Sequence, residues 1–136
     1  METEPVAKAR PRKGKNGRFY TPEKTQAYED VIGWEYASAV NKGNAKTYMN
    51  GEPVRAVLGF YFAIPSSYSK KRKKSILEGS EDFTKRPDID NLVKAVLDGL
   101  NGIAFKDDCQ VVEVHATKGY TSDEEGFIVI DIQEVK

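Results

Sequence analysis

The sequence holds one cysteine, one histidine and one tryptophan among 136 residues. Cys109 alone excludes an internal disulfide, and a single thiol fits a reducing cytoplasm. Cys109 and the lone His115 are too few for a zinc site, which draws on several nitrogen and sulfur ligands. Long apolar runs are missing too. Nothing approaches the ~20 residues of a membrane-spanning helix, and the opening METEPVAKARPRKGKNGR lacks a signal peptide's apolar core. Net charge is absent, since 21 Lys and Arg balance 21 Asp and Glu. A chain 39% apolar and 31% charged is expected to form one soluble domain over residues 1–136.

The zero net charge hides a segregation. Lys8, Arg10, Arg12, Lys13, Lys15 and Arg18 crowd a basic arm over residues 1–20. Lys70, Lys71, Arg72, Lys73 and Lys74 form a second basic run, followed by Lys85 and Arg86. From Asp107 onward, eight acidic residues face only Lys118 and Lys136. Two basic segments together suit a polyanion such as nucleic acid about as well as a solvated surface, although either alone reads better as a solvated surface.

Local patterns predict a mixed α+β domain. Thr21 as N-cap, Pro22 at the first position and Glu23 in the first turn announce a helix reaching Asn41–Gly43. Tyr28, Val31, Ile32, Trp34, Tyr36 and Ala37 make its broad apolar face, so Trp34 and Tyr36 are expected in the core. Residues 53–64, PVRAVLGFYFAI, are apolar on both strand faces and predict a largely buried strand. Residues 66–86 read as a basic mobile loop. Leu92, Val93, Val96, Leu97 and Leu100 predict a second helix over about 90–101, closed by Asn101-Gly102. CQVVEVHATK and GFIVIDIQEV predict two strands, expected to be neighbours. The expected architecture is a mixed sheet with two main helices on one side and the carboxylates at one end.

The chemistry centres on RPDIDNLVK, residues 86–94. Pro87 keeps Asp88 outside the helix and leaves Asp90 as the expected N-cap. In an extended entry segment, residues two apart point the same way, so Asp88 and Asp90 could share a pocket. FKDDCQ offers a third carboxylate from Asp107 or Asp108. The helix is about 18 Å long. The six residues from Ile103 to Asp108 reach roughly 20 Å if extended, enough to return level with its start. Clustered carboxylates repel, and a hard divalent cation relieves the repulsion. Oxygen-only ligands suit Mg²⁺ or Mn²⁺, and two such ions ~3.5–4 Å apart could stabilise in-line attack on phosphorus. Lys94, one turn past Asp90, could orient water or offset charge. From spacing alone, an ordinary i,i+4 ion pair is the better reading of Lys94, and capping the better reading of Asp90. Glu113 and His115 share one strand face, which reads as ordinary exposed surface.

RPDIDNLVKAVLDGLNGIAFKDDCQVVEVHATK, residues 86–118, resembles the RusA family of Holliday junction resolvases, which are common in phages and prophages. The set D-x-D-N-L-x-K, then N-G, then D-D-x-Q-V-V carries the resemblance. PVAKARPRKGKNGRFYTPEKTQAYE and IPSSYSKKRKKSILEG extend it over most of the chain. The resemblance implies that Asp88, Asp90 and Asp108 are metal-binding aspartates, that Lys94 is the catalytic lysine, and that Asp107 stands beside the third aspartate. It implies a homodimer that makes symmetric nicks in four-way junctions with Mg²⁺ or Mn²⁺, in a bacterial cytoplasm. One domain with one site needs a second copy for paired cuts. The basic residues, Lys8, Arg10, Arg12, Lys70–Lys74, Lys85 and Arg86, would grip backbone phosphates. The alternative is a non-catalytic nucleic-acid-binding module whose aspartates cap a helix.

Overall fold

Val54, Ala56, Leu58, Phe60 and Phe62 alternate along one strand, and all five are buried. They form the floor of the core in a computed structural model that describes residues 12–13, 19–20 and 23–136. The described elements are β1 (Arg12–Lys13), β2 (Phe19–Tyr20), α1 (Glu23–Asn41), β3 (Val54–Ala63), α2 (Lys70–Leu77), α3 (Ile89–Leu100), a 3₁₀ turn (Asp108–Gln110), β4 (Val111–Thr121) and β5 (Phe127–Glu134). Among the described residues no helix is long and apolar enough to cross a membrane.

The main sheet has the order β4-β3-β5. β3 runs parallel to β4, from Val54↔Val111 to Ala63↔Thr121, and antiparallel to β5, with Phe60↔Ile128 and Ala56↔Ile132. A strand apolar on both faces takes the centre. The two C-terminal strands are therefore not neighbours, contrary to the sequence expectation. Alternation identifies a strand but not its partner. Parallel pairing demands a crossover, and the segment through α2 and α3 supplies it. Tyr28, Ile32 and Tyr36 of α1 and Leu92, Ala95, Val96 and Leu100 of α3 close the core over β3. On the opposite sheet face, Tyr61 stacks on Phe127 with centroids 4.9 Å apart.

Three other expectations change. Residues 66–86 are not one loop, because Lys70–Leu77 forms α2, making three helices rather than two. The Ser69 side chain accepts the Arg72 amide at 3.1 Å, and Ile76 is buried beneath the helix. A capped first turn and one anchoring apolar residue thus outweigh the repulsion of five adjacent cations. Trp34 is 75% exposed rather than core. The large apolar side chains buried on α1 follow i, i+4, i+8 through Tyr28, Ile32 and Tyr36, a narrower stripe than the composition suggested. Thr21 and Pro22 lie outside the described residues. Of the basic arm, only Arg12–Lys13 and Phe19–Tyr20 are described, as a short antiparallel ladder.

α1 crosses α3 at two glycines. A Cβ on Gly99 would stand 2.9 Å from the Glu29 carbonyl and 3.1 Å from Ile32 Cβ. A Cβ on Gly33 would stand 3.1 Å from the Gly99 carbonyl. Backbone cannot yield as a flexible side chain does. Gly99→Ala should therefore destabilise by about 1–3 kcal/mol, although alanine in a helix interior ordinarily stabilises by about 1 kcal/mol. Urea unfolding checks the sign, and stabilisation would contradict the close approach.

Candidate active site

α3 starts on a carboxylate, and a second carboxylate pair lies beyond its C-cap, Asn101. Asp88 is its N-cap, with φ −70° and ψ 145°, and makes no capping hydrogen bond through its side chain. Asp90 lies in the first turn, one residue inside the helix rather than at the cap the sequence suggested. The Arg86–Pro87 peptide is cis. Both carboxylates are exposed, and among the described residues neither joins an ion pair.

Asp107 and Asp108 open the 3₁₀ turn that follows, beside the far end of the same helix. The segment after Asn101 does not extend back along α3. Gly102, with φ +80°, turns the chain, and its amide donates to the Phe105 carbonyl at 2.9 Å. The Asp108 amide donates to Asn101 Oδ1 at 3.0 Å, which keeps Asp108 beside the helix C-cap. Twelve helical residues separate this corner from Asp88, about 18 Å along the axis. The expected single cup of Asp88, Asp90 and Asp108 is therefore not assembled within one chain. The sequence arithmetic allowed a return, but the apolar Ile103, Ala104 and Phe105 fold into the core instead.

Gln110 builds the Asp107–Asp108 corner. Its Oε1 accepts the Lys106 and Asp107 amides at 2.9 and 3.0 Å. Its Nε2 donates to the Tyr48 and Glu52 carbonyls at 3.0 Å each. Asp107 returns the favour through a capping box with Gln110. Gln110 is buried, and its bonds tie the acidic corner to the chain just ahead of β3. The sequence reading missed it, although a glutamine three residues after an aspartate is a recognisable capping signal.

Electrostatics sharpen this corner. Burial pushes the Asp108 carboxyl up, the hydrogen bond and negative charge of Asp107 and the charge of Asp98 push it further, and Lys94 opposes them. Lys94, 63% exposed, pairs with Asp98 at 3.6 Å, so it serves the Asp108 end of α3 rather than Asp90. Among the described residues no three His, Cys, Asp or Glu side chains gather closely enough to hold a metal. Mg²⁺ commonly takes only one or two carboxylates and completes its shell with water and phosphate oxygens. The donor chemistry fits that mode at either end of α3 and does not fit an all-protein cage.

The basic residues divide into engaged and open groups. Arg72 lies 3.7 Å over the Tyr68 ring and holds Glu81 through bonds of 3.1–3.2 Å. Lys74 pairs with Glu78 at 3.9 Å, and Lys73 reaches the Ser66 carbonyl at 3.4 Å. Lys85 donates to the Tyr68 hydroxyl. That hydroxyl's pKa is lowered, chiefly by Lys85. Lys70, Lys71 and Arg86 are exposed, while Lys8 and Arg10 fall outside the described residues, as does the Arg12 side chain. Glu113 pairs with Arg55, and His115 is exposed on β4.

The chain matches the family described as Endodeoxyribonuclease RusA over residues 2–133. It is also similar to YqaN of Bacillus subtilis (strain 168), an uncharacterized protein. The two are 35% identical over 137 residues, covering 97% of this chain and 92% of YqaN. The chain belongs to the RusA family of endodeoxyribonucleases.

Substitutions at the corner should separate scaffold from site. Gln110→Ala strands two amides and two carbonyls and should cost about 2–4 kcal/mol in denaturant unfolding. Asp108→Asn should do the reverse at neutral pH. A carboxyl raised in the folded state binds its proton more tightly there. Its stability contribution therefore declines as pH climbs from the ordinary 3.8 through the raised value. Removing that charge should leave the melting temperature at pH 7 equal to or above the parent's. A melting temperature several degrees lower would show Asp108 to be structural.

Proposed function

We propose that this chain is a structure-selective endodeoxyribonuclease that resolves four-way junctions by paired symmetric nicks, as a homodimer using Mg²⁺ or Mn²⁺. The observation that carries the reading is the near end-to-end family match, together with Asp88, Asp90, Lys94, Asp107 and Asp108 at the motif positions. In this reading Asp88, Asp90 and Asp108 hold the cation, with Asp107 beside them. Bound there, the cation would polarise the scissile phosphate and lower the pKa of an attacking water. Lys94 would offset negative charge on the transferring phosphoryl group.

The separation of the carboxylates along α3 gives the dimer a second task. Besides matching the two-fold character of a junction, a second copy would set the partner's Asp107 and Asp108 against the Asp88–Asp90 entrance of the first chain. Val57, Tyr61, Phe127 and Val129, on the sheet face away from the core, offer apolar surface for such pairing. Lys70, Lys71 and Arg86 would meet phosphates, giving salt-sensitive binding.

A synthetic four-way junction tests the reading. The parent protein should nick opposing strands in Mg²⁺ and stop when EDTA removes it. Asp88→Asn should lower the cleavage rate by at least about a hundredfold while junction affinity holds within a few-fold. Binding without cleavage in either metal would favour the non-catalytic module.

A further inference from the structure

The backbone leading into Asp88 is gripped by a lysine from a distant part of the chain. Lys118 lies on β4, opposite Phe60 of β3 in the parallel register. Its Nζ donates to the Lys85 carbonyl at 2.7 Å and to the Pro87 carbonyl at 3.0 Å. The same ammonium lies 5.3 Å from the centroid of the Phe83 ring. Phe83 stacks on Phe62 at 4.3 Å and meets Tyr120 edge-on at 4.9 Å. Lys118 is half-buried, and among the described residues no carboxylate pairs with it.

A lysine on an exposed strand ordinarily extends into water, because fixing its long stem costs rotamer entropy. Here two charge-assisted hydrogen bonds and an aromatic wall hold it in place. Its two acceptors bracket the Lys85–Pro87 tripeptide, whose next residue is Asp88. Asp88 makes no capping bond that would fix its carboxylate on its own helix. The direction of that carboxylate therefore depends on the incoming backbone, and β4 fixes that backbone through one side chain. Lys85 also bonds Tyr68, beside Arg72, so the clamp joins the basic segment to the carboxylate entrance.

We propose that Lys118 is a positioning residue that aims Asp88 by clamping the carbonyls of Lys85 and Pro87. The proposal rests on the nuclease reading for its catalytic consequence, and on the hydrogen bonds alone for its structural one. Removing the ammonium leaves every carboxylate chemically intact but loosens the approach to α3.

Two readouts on the full chain test it. The first is hydrogen exchange across residues 88–92, where the Leu92 amide closes the first turn on the Asp88 carbonyl at 3.2 Å. Lys118→Met should speed exchange there several-fold while leaving Phe60 and Ile128 in the sheet centre unchanged. The second is cleavage of a saturating four-way junction. Lys118→Met should lower kcat by about 10–100-fold, with junction affinity in EDTA held within twofold. Lys118→Arg, which keeps charge and donors, should recover part of both losses. Lys118→Gln substitutes should Lys118→Met fail to fold. Unchanged exchange, or an unchanged kcat in a protein that cleaves, overturns the proposal. Lost affinity at full kcat makes Lys118 a DNA contact and also overturns it. If the parent cleaves no junction, the nuclease reading fails, and exchange alone then decides whether Lys118 holds the entrance.

Discussion

The parallel pairing of β3 with β4 governs everything else in this molecule. Two parallel neighbours cannot be joined by a tight turn, so the chain must travel the length of the sheet before β4 begins. α3 makes that return. Its N-terminus lies beside the late residues of β4, where Lys118 reaches the Pro87 carbonyl. Its C-terminus lies where Gln110 bonds the chain entering β3. One topological fact thus places Asp88 and Asp90 at one end of the sheet and Asp107 and Asp108 at the other.

That arrangement bears on how a RusA-family chain could do chemistry. Each end of α3 has half of what phosphodiester hydrolysis asks for. One end offers exposed carboxylates beside a basic segment. The other offers an acidic corner fixed by Gln110 and Asn101, in which burial and then the neighbouring Asp107 and Asp98 raise the Asp108 carboxyl and Lys94 opposes them. Anchoring differs too. The Asp108 corner is held by several bonds, made through Gln110 and Asn101, whereas the Asp88 entrance depends on a strand lysine. Two copies related by a two-fold axis offer two of each half, which suits both a shared site and a substrate with two equivalent strands.

Much of the fold was legible because periodicity reports burial directly. β3, α3 and the buried stripe of α1 follow from apolar spacing, and the α3 stop follows from Asn101-Gly102. Sheet order was hidden, since alternation in β4 and β5 says nothing about which strand lies between them. α2 was hidden because five adjacent cations look like solvated loop, and only Ser69 and Ile76 betray a capped, anchored helix. Trp34 was misplaced because an aromatic residue counts toward an apolar face whether or not anything covers it. At the site, the residue types were legible and their geometry was not. The chain from Ile103 to Asp108 is long enough to return to Asp88, and the burial of Ala104 and Phe105 with the Asp108–Asn101 bond shows that it does not. Lys118 left no signal, because its acceptors are backbone carbonyls some 30 residues away.

The central claim is that the two carboxylate pairs act together across a dimer, and subunit mixing reads it most directly. Asp88→Asn and Asp108→Asn chains, each inactive alone, are co-expressed so that mixed dimers form, and junction nicking is then measured in Mg²⁺. A shared site leaves one intact Asp88–Asp108 combination in every mixed dimer, so single-strand nicking should return. A mixture as inactive as either variant alone would contradict the account.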